Sequence, residues 1–382
     1  MFNFHIKNLL ILLLSIIIFY FGWVFKNFAI CGFGGSFFLL AIALTLKKIK
    51  NLSTLLVATA FAISFVELVL NIFWSSIMPV DPKNTYIEKD HFMYERVEGY
   101  GYTGYEGSYK QKKLTSDNEI IFDAVYTIGK DGYRLDVPPH DNQIYIYGDS
   151  NLFGEGLNDN ETLNYFLYKN HNIKSKNMGM RGYGMHQALY NIQKGKTAIN
   201  GINILLTDAG AATRSACKPS YTVGTPRYII NNNKKLILNG VCTDHRVMIN
   251  KVLSYIHIYK LWNIIYESKN YLDDEDVDIF LEIIKEISML TKNNNSKLII
   301  AYEQSDMIIN SLKESSKYSN ESIINEFINY ADKAVNVTLA ETLEKRPRKY
   351  YIHELDTHVT AEANIERAKI IAETINKLSE KN

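Results

Sequence analysis

Hydrophobic positions are distributed unevenly along this chain. Residues 6–25, 28–46 and 52–77 form nearly unbroken apolar runs, each long enough to cross a bilayer as a helix. Buried core helices would not crowd three such runs into the first eighty residues. A cleaved signal peptide fits poorly, because the first run is long and lacks a small-residue cleavage site. The pattern therefore predicts three transmembrane helices. Beyond residue 140 short β-branched or aromatic runs alternate with segments of helical spacing. Strands are expected over 144–147, 173–176, 202–206, 298–302 and 349–353, and helices near 161, 185–195, 276–291, 321–333 and 361–378. Strands separated by helices predict βαβ units, hence a doubly wound parallel α/β sheet with flanking helices and a site at the strands' carboxyl ends.

Three smaller features complete the layout. Residues 90–135, rich in tyrosine and glycine, predict a small β-rich lead-in. An Asn-rich turn within 225–241 predicts an inserted hairpin. The 247–266 stretch is interrupted by Lys251, His257 and Lys260, so it reads as an amphipathic helix and not as a fourth span. Expected boundaries are 1–78 for the anchor, 79–140 for linker and lead-in, and 141–382 for the main domain with an insertion near 217–242.

Charge sets the expected orientation. Lys7 lies at the N-terminal end of the first run, and Lys47, Lys48 and Lys50 lie between the second and third, against Lys26 in the other connection. The positive-inside bias puts the N-terminus in the cytoplasm, and three crossings place everything after Pro79 outside. The expectation is a multi-pass inner (cytoplasmic) membrane protein with a periplasmic or extracellular domain. Its partners would be the bilayer, a glycan or other acylated substrate and, for an acyl donor, another membrane protein. Glu67, inside the third run, is costly in lipid and a functional hint. A net charge of +1 over 382 residues shows no bias towards nucleic acid. Cys217 and Cys242 flank the hairpin, where they either close a disulfide or remain two unpaired thiols.

Candidate chemistry concentrates in three blocks. The run Ile144-Tyr-Ile-Tyr stops at Gly148-Asp149-Ser150, leaving a hydroxyl on a strand-to-helix turn beside free backbone N–H groups. Asp356-x-His358 lies on an expected loop just before the last helix. A serine needs a base to take its proton, and that base needs a carboxylate to fix its tautomer. Between them, the glycines of Asn177-Met-Gly-Met-Arg-Gly182 let a backbone N–H approach developing negative charge.

Together these blocks resemble the SGNH (GDSL-type) hydrolase family, over about residues 120–380 and including the lead-in Gly-Lys-Asp-Gly-Tyr-Arg134. The resemblance implies an ester hydrolase with Ser150 as nucleophile, His358 as base and Asp356 as its partner. It also implies an oxyanion held by the N–H groups of Ser150 and Gly182, with Asn177 in the second block, and no cofactor. The third block departs from the family. Where Gly-x-Asn-Asp is usual, this chain has Thr207-Asp208-Ala-Gly, so the asparagine donor is missing. Thr207 could donate a hydroxyl, while Asp208 could only accept unless protonated. Another residue substitutes, the enzyme is slow, or the fold serves glycan binding. Acyl transfer to a sugar hydroxyl would use the same triad as hydrolysis.

A metal site at His353, Glu354, Asp356 and His358 is the rival chemistry. Its His-Glu-x-x-x-His spacing is one residue too long for ligands sharing a helix face, so no metal is expected. His186 reads as a surface or substrate-facing residue.

Overall fold

The computed structural model describes residues 50–77, 85–88, 94–136, 143–243, 272–303, 316–339 and 349–380, with the short pieces 15–18, 20, 139 and 256–258. It divides into two compact units, 1–81 with 245–269, and 82–244 with 270–382. The runs 6–25 and 28–46 and the expected helix over 247–266 fall almost wholly outside the described residues.

In the first unit, helix α1 (Lys50–Ile77) covers the third apolar run. The predicted membrane spans are overturned, since no helix among the described residues is long and apolar enough to cross a membrane. Within α1 the apolar run is broken by the polar residues Ser64, Glu67 and Asn71. The inner-membrane, multi-pass placement rested on those spans and is withdrawn with them. Glu67 is buried, with one carboxylate oxygen accepting the His257 N–H at 2.6 Å and the other the Ile258 N–H at 2.9 Å. A carboxylate satisfied by two amides and an imidazole needs no lipid-related explanation.

The second unit opens with the expected β-rich lead-in. Strand β1 (Thr85–Glu88) precedes the antiparallel pair β2 (Tyr94–Val97) and β3 (Gly101–Gly104). Two longer strands, β4 (Gly107–Thr115) and β5 (Ile120–Ile128), join β1 in an antiparallel sheet of order β1-β4-β5. The main chain then alternates strand and helix: β6 (Ile144–Gly148), α2 (Ser150–Phe153), α3 (Leu163–His171), β7 (Lys176–Gly179), α4 (Met185–Gln193), β8 (Ile202–Thr207) and α5 (Ala209–Ser215). The inserted hairpin β9 (Pro226–Ile230) and β10 (Leu236–Val241) follows, then α6 (Asp274–Asn293), β11 (Lys297–Tyr302), α7 (Asn320–Tyr330), β12 (Lys333–Asn336), β13 (Tyr351–His353), β14 (Asp356–Val359) and α8 (Ala361–Ser379).

The central sheet is parallel, ordered β12-β11-β8-β6-β7. The order reverses between β6 and β8, so the crevice beyond their carboxyl ends is the switch point of the sheet. Its strands alternate strictly between two cores. Leu205, Leu298 and Ile300 face α4, α6 and α7, whereas Ile146, Ile204 and Ile299 face α3 and α8. The 349–353 segment was expected to complete this sheet, but β12 does so. Instead β13 pairs antiparallel with β14 through the short turn at Glu354-Leu355. Tyr351 and Val359, paired across the ribbon, are buried together with Ala363, and Asp356 is buried as well.

Cys217 and Cys242 are joined in a disulfide with Cα atoms 5.5 Å apart, closing 25 residues that contain the hairpin. Loop-closure entropy puts such a crosslink at about 3.5 kcal/mol.

Candidate active site

Strand β6 ends at Gly148, and Asp149 caps the short helix α2 by accepting the Asn151 N–H at 2.9 Å. Ser150 is the first helical residue, so its own N–H has no intrahelical acceptor. Close packing fixes this turn from below. A Cβ on Gly179, at the end of β7, would stand 2.6 Å from the Phe153 nitrogen, so only glycine lets the second block approach α2. Beside it, Asn177 donates to the Leu152 carbonyl at 2.9 Å and accepts the Gly179 N–H at 2.9 Å. The amide nitrogen thus holds α2 against β7, while the oxygen fixes the end of β7 itself.

The far end of the chain meets this turn. His358 Nε2 lies 2.9 Å from Ser150 Oγ, and Nδ1 lies 2.6 Å from Asp356 Oδ1. Asp356 and His358 are two apart on β14 and not on a loop as expected, so period-two geometry aims both side chains to one side of the ribbon. Asp356 Oδ1 also accepts the His358 N–H at 3.0 Å, and Oδ2 accepts from Lys113 Nζ on β4 at 2.7 Å. Burial pushes the Asp356 carboxyl up, but the His358 hydrogen bond and charge, joined by Lys113, outweigh it and hold the group well below the ordinary carboxylate range. For His358, burial favours the neutral ring. The Asp356 hydrogen bond and the charges of Glu155, Asp356 and Asp149 overcome it and raise its proton affinity.

Four charged residues at this centre were not found from the sequence: Lys113, Glu155, Arg181 and Arg214. Glu155 Oε2 stands 3.3 Å from His358 Nε2, and Arg181 Nε stands 3.3 Å from the same carboxylate oxygen. Glu155 sits between Gly154 and Gly156, both at φ +80°, and that Gly-Glu-Gly turn just after the serine was the available signal. Arg214 Nη2 bridges Asp149 Oδ2 at 2.7 Å and Asp208 Oδ1 at 3.0 Å.

The remaining expected residues take varied places. Gly182 has φ +71°, and a Cβ there would stand 2.9 Å from Tyr102 Oη and 3.1 Å from the Tyr221 ring. Asp208 caps α5 by accepting the Ala211 N–H at 2.9 Å, in addition to its Arg214 pair. Thr207 is buried, its Oγ1 has no hydrogen-bond partner among the described residues, and it lines a small cleft with Asp208, Phe280, Glu303 and Phe327. His186 is fully buried and not at the surface. Burial first, then the Arg214 charge, pushes its imidazole down to about 3, so it is neutral, with Nε2 3.0 Å from Thr225 Oγ1. His353 Nδ1 accepts the Leu355 N–H at 3.1 Å inside the β13–β14 turn.

Comparison with known proteins adds little. No protein-family model matches the chain, and no curated protein does. Among solved structures, the chain is similar to a protein assigned as a lipolytic member of the G-D-S-L family from Desulfitobacterium hafniense. The identity is 12%, the TM-score 0.36, and the match covers 60% of this chain and 98% of that one. Likeness at that level carries no argument about function. The α/β class with a parallel sheet stands on the strand order itself.

Proposed function

We propose that this chain is a serine ester hydrolase. The observation that carries the reading is the continuous chain Ser150 Oγ–His358–Asp356, with links of 2.9 and 2.6 Å. Nδ1–H is committed to Asp356, which leaves the Nε2 lone pair to take the serine proton as Oγ attacks an ester carbonyl. The resulting oxyanion lies against the N–H groups of Ser150 and Gly182. His358 then returns the proton to the departing alkoxide, and water, activated by the same base, releases the acyl group.

The substrate in this reading is a small acyl ester, acetyl in the simplest case, carried on a sugar hydroxyl. Support for the sugar comes from exposed aromatic faces around Gly182. Tyr221 is 53% exposed with its ring against Gly182, and Tyr94, 39% exposed, packs edge-on against Tyr102. Such amphipathic rings offer an apolar face to a pyranose and a hydroxyl to its polar rim.

The test uses the full chain with 4-nitrophenyl acetate and a per-acetylated hexose. Hydrolysis of both and fluorophosphonate labelling at Ser150 are expected, and Ser150→Ala should abolish all three. Equal hydrolysis by the variant would refute the assignment.

A further inference from the structure

His358 Nε2 faces two groups that want opposite things from it. Ser150 Oγ, at 2.9 Å, donates a hydrogen bond to a neutral ring and so favours a lone pair on that nitrogen. Glu155 Oε2, at 3.3 Å, is an acceptor that is repelled by the lone pair and attracted by an N–H. Since Nδ1 is already bonded to Asp356, a second carboxylate at Nε2 stabilises the doubly protonated imidazolium. Both carboxylates are nearly enclosed, with Asp356 0% and Glu155 13% exposed, so water screens them weakly.

We propose that Glu155 is a positioning residue that governs the protonation of His358, and that Arg181 limits its hold by drawing on the same carboxylate oxygen. The inference rests on the esterase reading above and concerns the pH at which that site becomes active. Every charged group facing the imidazole enters the balance. Asp356 on β14, Glu155 in the turn after α2 and Asp149 at the end of β6 favour the cation. Lys113, Arg181 and Arg214 offset those three carboxylates respectively. Glu155 therefore acts twice. In the resting site it keeps His358 protonated to higher pH, holding back the base. In the tetrahedral intermediate it stabilises the imidazolium that forms when Ser150 gives up its proton.

These two effects have opposite signs, which separates them from a merely structural role. For Glu155→Gln the acid limb of kcat/KM should move down by about one pH unit, the low end of what one close opposite charge produces. At the same time the high-pH plateau should fall by up to about tenfold. Arg181→Met leaves Glu155 uncompensated, so the same limb should move up. Rates would be read with 4-nitrophenyl acetate at the nitrophenol isosbestic wavelength, on full-length chain whose folding is checked by near-ultraviolet circular dichroism.

A direct arm follows the His358 ring by NMR in Ser150→Ala chains, assigned by difference against His358→Gln. Its titration midpoint should fall on adding Glu155→Gln and rise on adding Arg181→Met. If Glu155→Gln does not fold, Glu155→Asp, which withdraws the charge from Nε2, should give a smaller downward shift. Unmoved limbs in active variants, or an unmoved ring titration, would overturn the role of Glu155. Absence of Ser150-dependent hydrolysis in the unmodified chain would sink the esterase reading instead, while the NMR arm would still decide the electrostatic one.

Discussion

Replacing Lys113 with methionine removes one charge from behind the Asp356 carboxylate while keeping an apolar stem of similar length. The pair is short, 2.7 Å, and well shielded, with side-chain exposures of 17% for Lys113 and 0% for Asp356. Breaking a fully buried pair from one side costs about 3–5 kcal/mol, and a charge-assisted hydrogen bond contributes about 1.5–3 kcal/mol. Asp356 would retain its two His358 partners, at 2.6 and 3.0 Å, and water can reach the vacated end. The lower range therefore applies, about 2 kcal/mol. Because the Asp356 carboxyl is depressed in the folded chain, its contribution is fully present above the unfolded carboxylate value near pH 4. It is lost as pH falls through the folded-state value, so pH 7 displays all of it.

The assay is urea denaturation at pH 7, followed by near-ultraviolet circular dichroism, of four chains: unmodified, Lys113→Met, Asp356→Asn and the double variant. Lys113→Met alone should lower the midpoint by an amount worth about 2 kcal/mol with an unchanged slope. In the Asp356→Asn background the same substitution should cost little, since the lysine has no charge left to meet. An equal loss in both backgrounds would show that Lys113 stabilises through packing and would dismantle the electrostatic account of this end of the site.

Two further outcomes are expected. Arg134 is 1% exposed, pairs with Asp159 at 2.7 Å and donates to the carbonyls of Phe153, Gly154 and Leu157 behind α2, so Arg134→Met should destabilise by about 3–5 kcal/mol, and a change under 1 kcal/mol in thermal unfolding would contradict this. Thr207→Val replaces an unpartnered buried hydroxyl with a methyl and should raise stability by about 1 kcal/mol in the same measurement, whereas a hundredfold fall in turnover would make Thr207 the third oxyanion donor.

What the sequence disclosed was local. A β-branched run ending at Gly148-Asp149-Ser150 and an Asp-x-His pair before the last helix are short-range signals. They pointed to residues that lie in one hydrogen-bonded chain, although His358 and Ser150 are 208 residues apart. Alternating strands and helices likewise announced the parallel sheet. Lys113 is 243 residues from Asp356, and nothing in its strand context distinguishes it from Lys110 or Lys112, which pair at the surface with Asp123 and Glu88. The edge strand was misassigned because Lys333–Asn336 is brief and half exposed, while 349–353 has the stronger β character. The third apolar run misled for another reason. Hydrophobicity reports the absence of polar side chains in a stretch, and Glu67 with its amide partners shows that the third run is not free of them.

The departure in the third block has a consistent electrostatic setting. Asparagine would bring a neutral amide to the end of β8, whereas Asp208 brings a charge and thereby requires a cation. Arg214, in the last turn of α5, supplies it and reaches across to Asp149, the cap of the helix that carries Ser150. One guanidinium nitrogen thus ties the ends of β6 and β8 together, and without it two carboxylates would face each other in a poorly solvated crevice. What is gained is rigidity of the serine turn. What is given up is one amide donor, whose removal elsewhere costs about 2.7–4 kcal/mol of transition-state stabilisation. In the proposed mechanism the two backbone N–H groups bear that load alone, so a modest turnover follows from the third block itself.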